Sequence, residues 1–336
     1  MKNLLYIGNK LSHKNKTVTT IETLSQNLRK EGFIVYSVSS KKNRVFRLCD
    51  MLWHVIKYRN RVEYVLIDTY STINFYYAYL CSLLCRFFNL KYIPILHGGN
   101  LPERLKTSPK KSNHLFRNAY INIAPSLFLK SHFESHGYTN LEYIPNTIEL
   151  NHYNFDKRTF KEARLLWVRS FSSIYNPELA VKVLKILREN NIEATLCMVG
   201  PRNDDSLDST KSLARELGVE VEFTGKLSKK DWHKKAEGFN IFINTTNVDN
   251  TPVSVIEAMA LGLPIISTNV GGMPFLIEDG EDGILVPPND EVAFKDAVCR
   301  LIEDRNLGKN IADKARKKVE SFDWEVVKHK WFSVLS

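Results

Sequence analysis

Asp249 and Glu257 stand eight residues apart around a helix start, and the chemistry legible in this chain begins with them. Between them, Thr251-Pro252 offers a capping side chain and then a proline at the first helical position. A small-residue helix is expected over Val253 to Leu261, stopped by Gly262. A buried strand over Pro264 to Ser267 should follow, and then a turn at Gly271-Gly272 with exposed amides. A helix start presents free N–H groups and the positive end of the helix dipole, so Asn250, Thr251, Pro252, Val253 and Ser254 suit an anion. The two carboxylates beside them can accept hydrogen bonds from hydroxyls. Phosphate on one side and hydroxyls on the other describe a sugar nucleotide. An acid pair at this spacing also occurs on solvated helix faces. The proline, the small-residue helix and the glycine pair behind it favour the binding reading.

Other candidates sit where strands should end. Gly8-Asn9 closes an apolar run at Leu4 to Ile7, and His97-Gly98-Gly99 closes another at Tyr92 to Leu96. Arg169 follows Arg164 to Val168, and Gly225-Lys226 follows Val221 to Thr224. A histidine at a strand's carboxyl end can orient a hydroxyl, accept a proton or contact a phosphate, although a lone histidine is often structural. Neither the dinucleotide fingerprint nor a P-loop is present: Gly8 lacks the two further glycines, and no glycine precedes Lys16-Thr17.

These residues need strands and helices in alternation to hold them. Strands expected at 4–7, 33–39, 64–68, 92–96 and 120–125 alternate with helices at 20–31, 46–59, 74–88 and 126–135. That order starts a doubly wound parallel sheet with its ligand edge at the carboxyl ends of the strands. The helix at 46–59 carries Leu48, Met51, Leu52, Val55 and Ile56 at helical spacing, ringed by Arg47, Lys57, Arg59 and Arg61. It suits an anionic membrane surface or simple packing on the sheet. Pro102 to Lys111 reads as a basic, mobile loop fit to be an acceptor-side lid. Asn151 to Lys161, polar and irregular, is the expected domain boundary. The α/β pattern then restarts at Arg164, and terminal helices are expected at 292–304, 307–321 and from Trp324 to the end. Strand ends of the two halves are expected to meet across an interdomain cleft.

At 336 residues, with 43% hydrophobic and 25% charged residues, the chain reads as two soluble globular domains. The net charge of +10 is uneven. Residues 1–150 hold 21 Lys and Arg against 9 Asp and Glu, a net of +12, and residues 151–336 hold 26 against 28, a net of −2. One half therefore faces an anionic partner: membrane lipid, a phosphorylated lipid carrier or nucleic acid. The five cysteines have no zinc spacing and read as reduced core thiols. The N-terminus lacks a signal-peptide apolar region, and the apolar stretch Phe75 to Phe88 is too short to span a bilayer. The expectation is a cytoplasmic protein, peripheral at the inner face of the plasma membrane.

The stretch from Asp249 through EAMALGLPIISTNVGG to DGEDGILVPPND resembles the donor-binding segment of glycosyltransferase family 4, retaining enzymes of the two-Rossmann GT-B fold. Tyr143-Ile144-Pro145-Asn146 is similar to the junction before that family's linker, and the Phe322-Asp323-Trp324 helix to the element that crosses back to the N-terminal domain. The resemblance implies an acceptor-binding Rossmann-like domain over 1–155, a donor-binding one over 160–320 and a returning helix over 321–336. It implies that Glu257 binds the ribose hydroxyls, that Asp249 contacts the transferred sugar, and that the amides of Thr251 to Ser254 hold the diphosphate. It makes Arg169 the residue that neutralises the leaving diphosphate and His97 the crevice histidine. It sets Gly8-Asn9 at the first loop and Gly225-Lys226 near the base. Departures are also visible. Asp249 stands for a usual Glu, Ile174 for a lysine, Thr147 for a glycine and Phe275 for a Glu, with Lys226 and Lys10 as candidates for the missing cation.

The expected activity is retaining transfer of a sugar from a UDP- or GDP-sugar to a glycan or lipid-linked acceptor in surface polysaccharide assembly. No metal and no cofactor is expected, since no Asp-x-Asp ends a strand and Asp204-Asp205 lacks the spacing. One rival is a sugar-nucleotide epimerase or hydrolase of the same architecture. A non-catalytic nucleic-acid-binding protein is the other, disfavoured because no such motif accompanies the charge.

Overall fold

The structure is a computed structural model that describes residues 2–10 and 19–336; Lys16-Thr17 lies outside the described residues. The chain divides into two units, Met1–Pro145 with Val327–Ser336, and Asn146–Val326. The division falls ahead of the polar stretch 151–161, because that stretch is fastened to the second unit. Tyr153 and Phe160 are buried in its cores. The buried Arg158 guanidinium donates to the carbonyls of Ala236, Glu237 and Leu261.

The first unit is a six-stranded parallel sheet of β1 Asn3–Ile7, β2 Ile34–Val38, β3 Tyr64–Tyr70, β4 Lys91–His97, β5 Asn122–Ala124 and β6 Leu141–Tyr143, in the order β2-β1-β3-β4-β5-β6. Its helices are α1 Thr20–Lys30, α2 Arg44–Tyr58, α3 Asn74–Phe87, α4 Leu101–Thr107, α5 Pro109–Phe116 and α6 Leu127–Ser135. Leu4 to Ile7 and Val65 to Ile67 are unbroken apolar runs buried on both sheet faces, the pattern a parallel sheet under helices demands. The expected mobile lid over 102–111 is instead helical. Pro102 and Pro109 each sit in the first turn of a helix, and Leu105, Leu115 and Phe116 are buried beneath.

The second unit is another parallel sheet, with β7 Ala163–Val168, β8 Ala194–Val199, β9 Glu222–Gly225, β10 Ile241–Asn244, β11 Ile265–Thr268 and β12 Ile284–Val286 in the order β12-β11-β10-β7-β8-β9. Its helices are α7 Pro177–Glu189, α8 Ser206–Glu216, α9 Lys229–Ala236, α10 Val253–Ala260, α11 Met273–Leu276, α12 Glu291–Glu303, α13 Arg305–Glu320 and the start of α14 Trp324–Val334. From Val327 on, α14 belongs to the first unit. There Lys330 donates to the Tyr143 carbonyl, and the Phe332 ring lies tilted against Phe33 with centroids 6.0 Å apart.

The strand orders say where ligands should go. In a doubly wound sheet the crevice opens where consecutive connections diverge to opposite faces. In the second unit that point lies between β7 and β10, and in the first between β1 and β3.

Candidate functional site

In the second unit, Arg169 follows β7, and its guanidinium donates to the Asp249 carboxylate beyond β10. The two residues assigned to diphosphate and sugar are therefore partners of one another. Gly200 makes room for the turn, since a Cβ there would lie 1.7 Å from the Arg169 carbonyl oxygen. The position expected for a second cation is Ile174, exposed and apolar, but its neighbour Tyr175 lays its ring 3.9 Å from the guanidinium carbon. That contact orients the arginine without adding charge. The Tyr175 turn is itself pinned. Thr245 Oγ1 donates to the Tyr175 and Asn176 carbonyls, and Asp204 accepts from Ser172 Oγ and the Ser173 amide. Donors from Ser206, Ser173 and Ser172 hold the Asp204 carboxyl well below the usual carboxylate range.

The loop that carries Asp249 and Asn250 rests on the glycine pair. A Cβ on Gly271 would come within 2.2 Å of the Asp249 carbonyl, and one on Gly272 within 1.9 Å of the Asn250 carbonyl. The Gly272 amide donates to the Asp249 carbonyl at 2.9 Å, so this turn is a buttress and not the exposed anion nest expected. Thr251 does not cap the helix either. Pro252 is the N-cap of α10, in extended conformation with no side-chain cap bond. The Val253 and Ser254 amides still open the helix without intrahelical acceptors. The Ser254 hydroxyl, Asn244 Oδ1 and Arg169 Nε are buried without hydrogen-bond partners, all at this sheet edge. Buried polar atoms without partners are costly, and their clustering marks a site built for a polar ligand.

Glu257 lies one helical turn further in and is buried. Its Oε1 accepts from the Tyr153 hydroxyl at 2.8 Å and lies 2.7 Å from Lys229 Nζ. Both contacts land on one oxygen and leave Oε2 for a ligand hydroxyl. Tyr153 is kept protonated by burial and by the Glu257 charge, so it remains a donor. His233 packs against Tyr153, with ring centroids 4.6 Å apart. Sequence reasoning missed both Tyr153 and Lys229. Tyr153 hid in the supposed linker, and Lys229 is one of two adjacent lysines at the start of α9. Gly225 adopts φ +70, and the exposed Lys226 follows it.

In the first unit, His97 Nε2 is 2.8 Å from Asp68 Oδ1, at the carboxyl ends of β4 and β3. Tyr6 donates its hydroxyl to the same oxygen at 2.8 Å. A carboxylate only accepts, so Nε2 donates to it, and Nδ1 is the ring nitrogen left for a further partner. Burial, followed by the Asp68 charge, pushes the Tyr6 phenol well above its ordinary range. Tyr70 stacks on the imidazole at 5.0 Å. Asp68 Oδ2 is buried without a partner and faces Gly8, where a Cβ would lie 2.3 Å away. The Gly8 amide is committed to the Val38 carbonyl at 2.7 Å, and Asn9 Oδ1 accepts from Arg47. The Lys10 ammonium reaches Ser37 Oγ at 3.4 Å. Asp68 was the missed residue here, and its signal was available: it ends an expected strand, as His97 does.

Among the described residues, no group of three or more His, Cys, Asp or Glu could hold a metal ion. No helix of the described residues is long and apolar enough to cross a membrane. Cys81, Cys85 and Cys197 are core thiols as expected, whereas Cys49 is exposed and Cys299 half-buried.

Residues 154–318, within the second unit, match the model of the family described as glycosyl transferases group 1. An N-acetylgalactosaminyltransferase of Campylobacter jejuni, named for a GalNAc-containing diNAcBac-PP-undecaprenol, is 23% identical over 185 residues, 54% of this chain and 50% of that protein. Sulfoquinovosyl transferase SQD2 of Arabidopsis thaliana is 26% identical over 152 residues, 44% of this chain and 29% of that protein. The chain thus spans half or less of the length of these curated relatives. Among solved structures, Anabaena HepE in complex with UDP-glucose aligns over 100% of this chain and 99% of that one, with TM-score 0.82 at 16% identity. The sucrose-phosphate synthase of Thermosynechococcus elongatus aligns over 100% and 98%, with TM-score 0.82 at 16% identity. At this identity the likeness is one of fold: α/β, with two parallel six-stranded sheets, as in GT-B glycosyltransferases.

Proposed function

The second unit of this chain belongs to the family glycosyl transferases group 1, and from that premise we propose that the chain transfers a sugar from a nucleoside diphosphate to an acceptor hydroxyl. The observation that carries this reading is the trio of buried, unpartnered polar atoms at one sheet edge, Arg169 Nε, Asn244 Oδ1 and Ser254 Oγ, beside the opening amides of α10. A diphosphate accepts from Arg169 Nε, the Ser254 hydroxyl and the α10 amides, Asn244 Oδ1 accepts from a ligand hydroxyl, and Glu257 Oε2 suits the ribose hydroxyls. The donor is a UDP- or GDP-sugar, a reading supported by the UDP-glucose in HepE.

Transfer proceeds with retention, by front-face attack guided by the leaving phosphate and with no protein nucleophile. Arg169 first has to exchange Asp249 for phosphate oxygens, and Asp249 is then released toward the hydroxyls of the transferred sugar. Charge on the departing diphosphate is met by that guanidinium and by the α10 dipole, so no metal is required. His97, its ring fixed by Asp68, offers Nδ1 to a substrate hydroxyl. The acceptor is a glycan or lipid-linked sugar bound by the basic first unit, in cell-surface polysaccharide assembly at the inner face of the plasma membrane. The Campylobacter relative's undecaprenol-linked name supports a lipid carrier.

Incubation with a panel of UDP- and GDP-sugars, with and without lipid-linked acceptors, tests the proposal. Acceptor-dependent nucleotide release is expected. Release or isomerisation without an acceptor would favour an epimerase or hydrolase, and failure to bind any nucleotide sugar would sink both. Arg169→Ala should lower turnover more than donor affinity, and equal losses would mean the arginine serves ground-state binding alone.

A further inference from the structure

The first unit carries a surface that its strand-end residues do not use. Helix α2 turns Arg47, Met51 and Val55 inward. On the opposite side Phe46, Cys49, Trp53 and Lys57 follow one another at spacings of three, four and four, which aligns them in one stripe. All four are exposed, Phe46 at 67% and Trp53 at 60%, and Val45 beside them is equally bare. Exposed Lys41, Lys42 and Arg44 stand at one end of the stripe, and exposed Arg59 and Arg61 follow Lys57 at the other. The sole acid from Lys41 to Arg61 is Asp50, whose carboxylate is 3.5 Å from His54. The sequence alone showed the helix's inward apolar stripe. Only the fold shows that the outward side is apolar as well.

We propose that this face docks on an anionic lipid bilayer, with Phe46 and Trp53 entering the headgroup region and the flanking cations lying among lipid phosphates. Charge selects the occupant. The residues of the first unit, 1–145 and 327–336, hold 23 Lys and Arg against 8 Asp and Glu, a net of +15. An indole is apolar in body with one polar N–H, which suits the boundary between acyl chains and water. At 15 residues α2 is about 22 Å long, fit to lie in the plane of a bilayer and too short to cross one. A helix with cations at both ends of an aromatic stripe has the composition of such interfacial helices.

The face is also linked to the candidate site. Arg47 donates to the carbonyls of Lys41 and Lys42 and to Asn9 Oδ1. The basic entry to α2 is therefore tied to the loop after β1, at the sheet edge that holds Gly8, Asp68 and His97. Docking there would bring lipid-borne hydroxyls to that edge, a consequence that rests on the proposed transferase activity. The docking itself does not.

The test uses the full chain with vesicles of phosphatidylcholine, alone or with about a third phosphatidylglycerol. Binding is expected only to the anionic vesicles, with a blue shift of tryptophan emission that Trp53→Phe removes, and it should weaken as salt rises. Lys42→Gln and Lys57→Gln should each weaken binding about fivefold. The double variant F46S/W53S should lose at least tenfold, with melting unchanged because both side chains are already in water. Equal binding to uncharged vesicles, no binding to either, or full binding by the double variant would overturn the proposal. So would a dimer in sedimentation that the double variant abolishes, since the face would then belong to a second copy. Nucleotide-sugar binding is measured separately. Loss of that binding with vesicle binding intact would refute the transferase reading and leave this one standing.

Discussion

The two units solve the same problem, presenting charge at the carboxyl edge of a parallel sheet, in opposite ways. In the second unit each carboxylate of the site already faces a cation. Asp249 holds Arg169, and Glu257 takes Tyr153 and Lys229 on one oxygen. A ligand there must displace or share partners, so affinity is set by exchange. In the first unit Asp68 gathers Tyr6 and His97 on Oδ1 and leaves Oδ2 buried and bare beside Gly8. Its work is to hold the His97 ring through Nε2. One edge is built to trade ions, and the other to hold an imidazole ring in one orientation.

Glu257→Ala probes the ion-trading side and carries the largest expected effect. Loss of a charged acceptor for ribose hydroxyls should weaken nucleotide binding roughly a hundredfold in calorimetric titration. Wild-type affinity would instead make Glu257 a structural partner of Tyr153. Asp68→Ala probes the other side. It strips two buried donors of their acceptor and should cost about 2–3 kcal/mol in denaturant unfolding of the first unit. Asp68→Asn keeps an oxygen for both donors and should cost less, so equal losses would erase the role given to the carboxylate. The smallest effect concerns His233, beside Tyr153. Burial lowers its pKa from the usual 6.5, and its Nε2 is buried without a partner. The unfolded chain therefore takes up the proton first as pH falls. The stability kept by the neutral ring is complete above 6.5 and is lost as pH drops from 6.5 toward the lower folded-state value. His233→Gln should flatten that slope in melting curves, and an unchanged slope would assign the titration elsewhere.

The alternation of strands and helices was legible because its signals are local. Apolar runs such as Leu4 to Ile7 and Ala194 to Val199 are bounded by glycine or polar turns, and Pro177 opens a helix as prolines do. The prolines at 102 and 109 carried the same signal. It was overlooked because the lysines and arginines around them read as a loop. The Asp249 to Gly272 stretch was legible as a site because its residues are close in sequence. Their roles within it were not. The glycine pair works through contact with the Asp249 and Asn250 carbonyls, a steric fact that no spacing rule contains.

By itself the sequence determined the α/β alternation, the charge asymmetry and the neighbourhood of the donor-type segment, since all three are properties of residues near one another along the chain. The tertiary structure alone decided the partners. Arg169 meets Asp249 across 80 residues, Tyr153 meets Glu257 across 104, and His97 meets Asp68 across 29. Each pairing depends on which strand ends the sheet order sets side by side, and that order is fixed by cooperative packing of the whole unit.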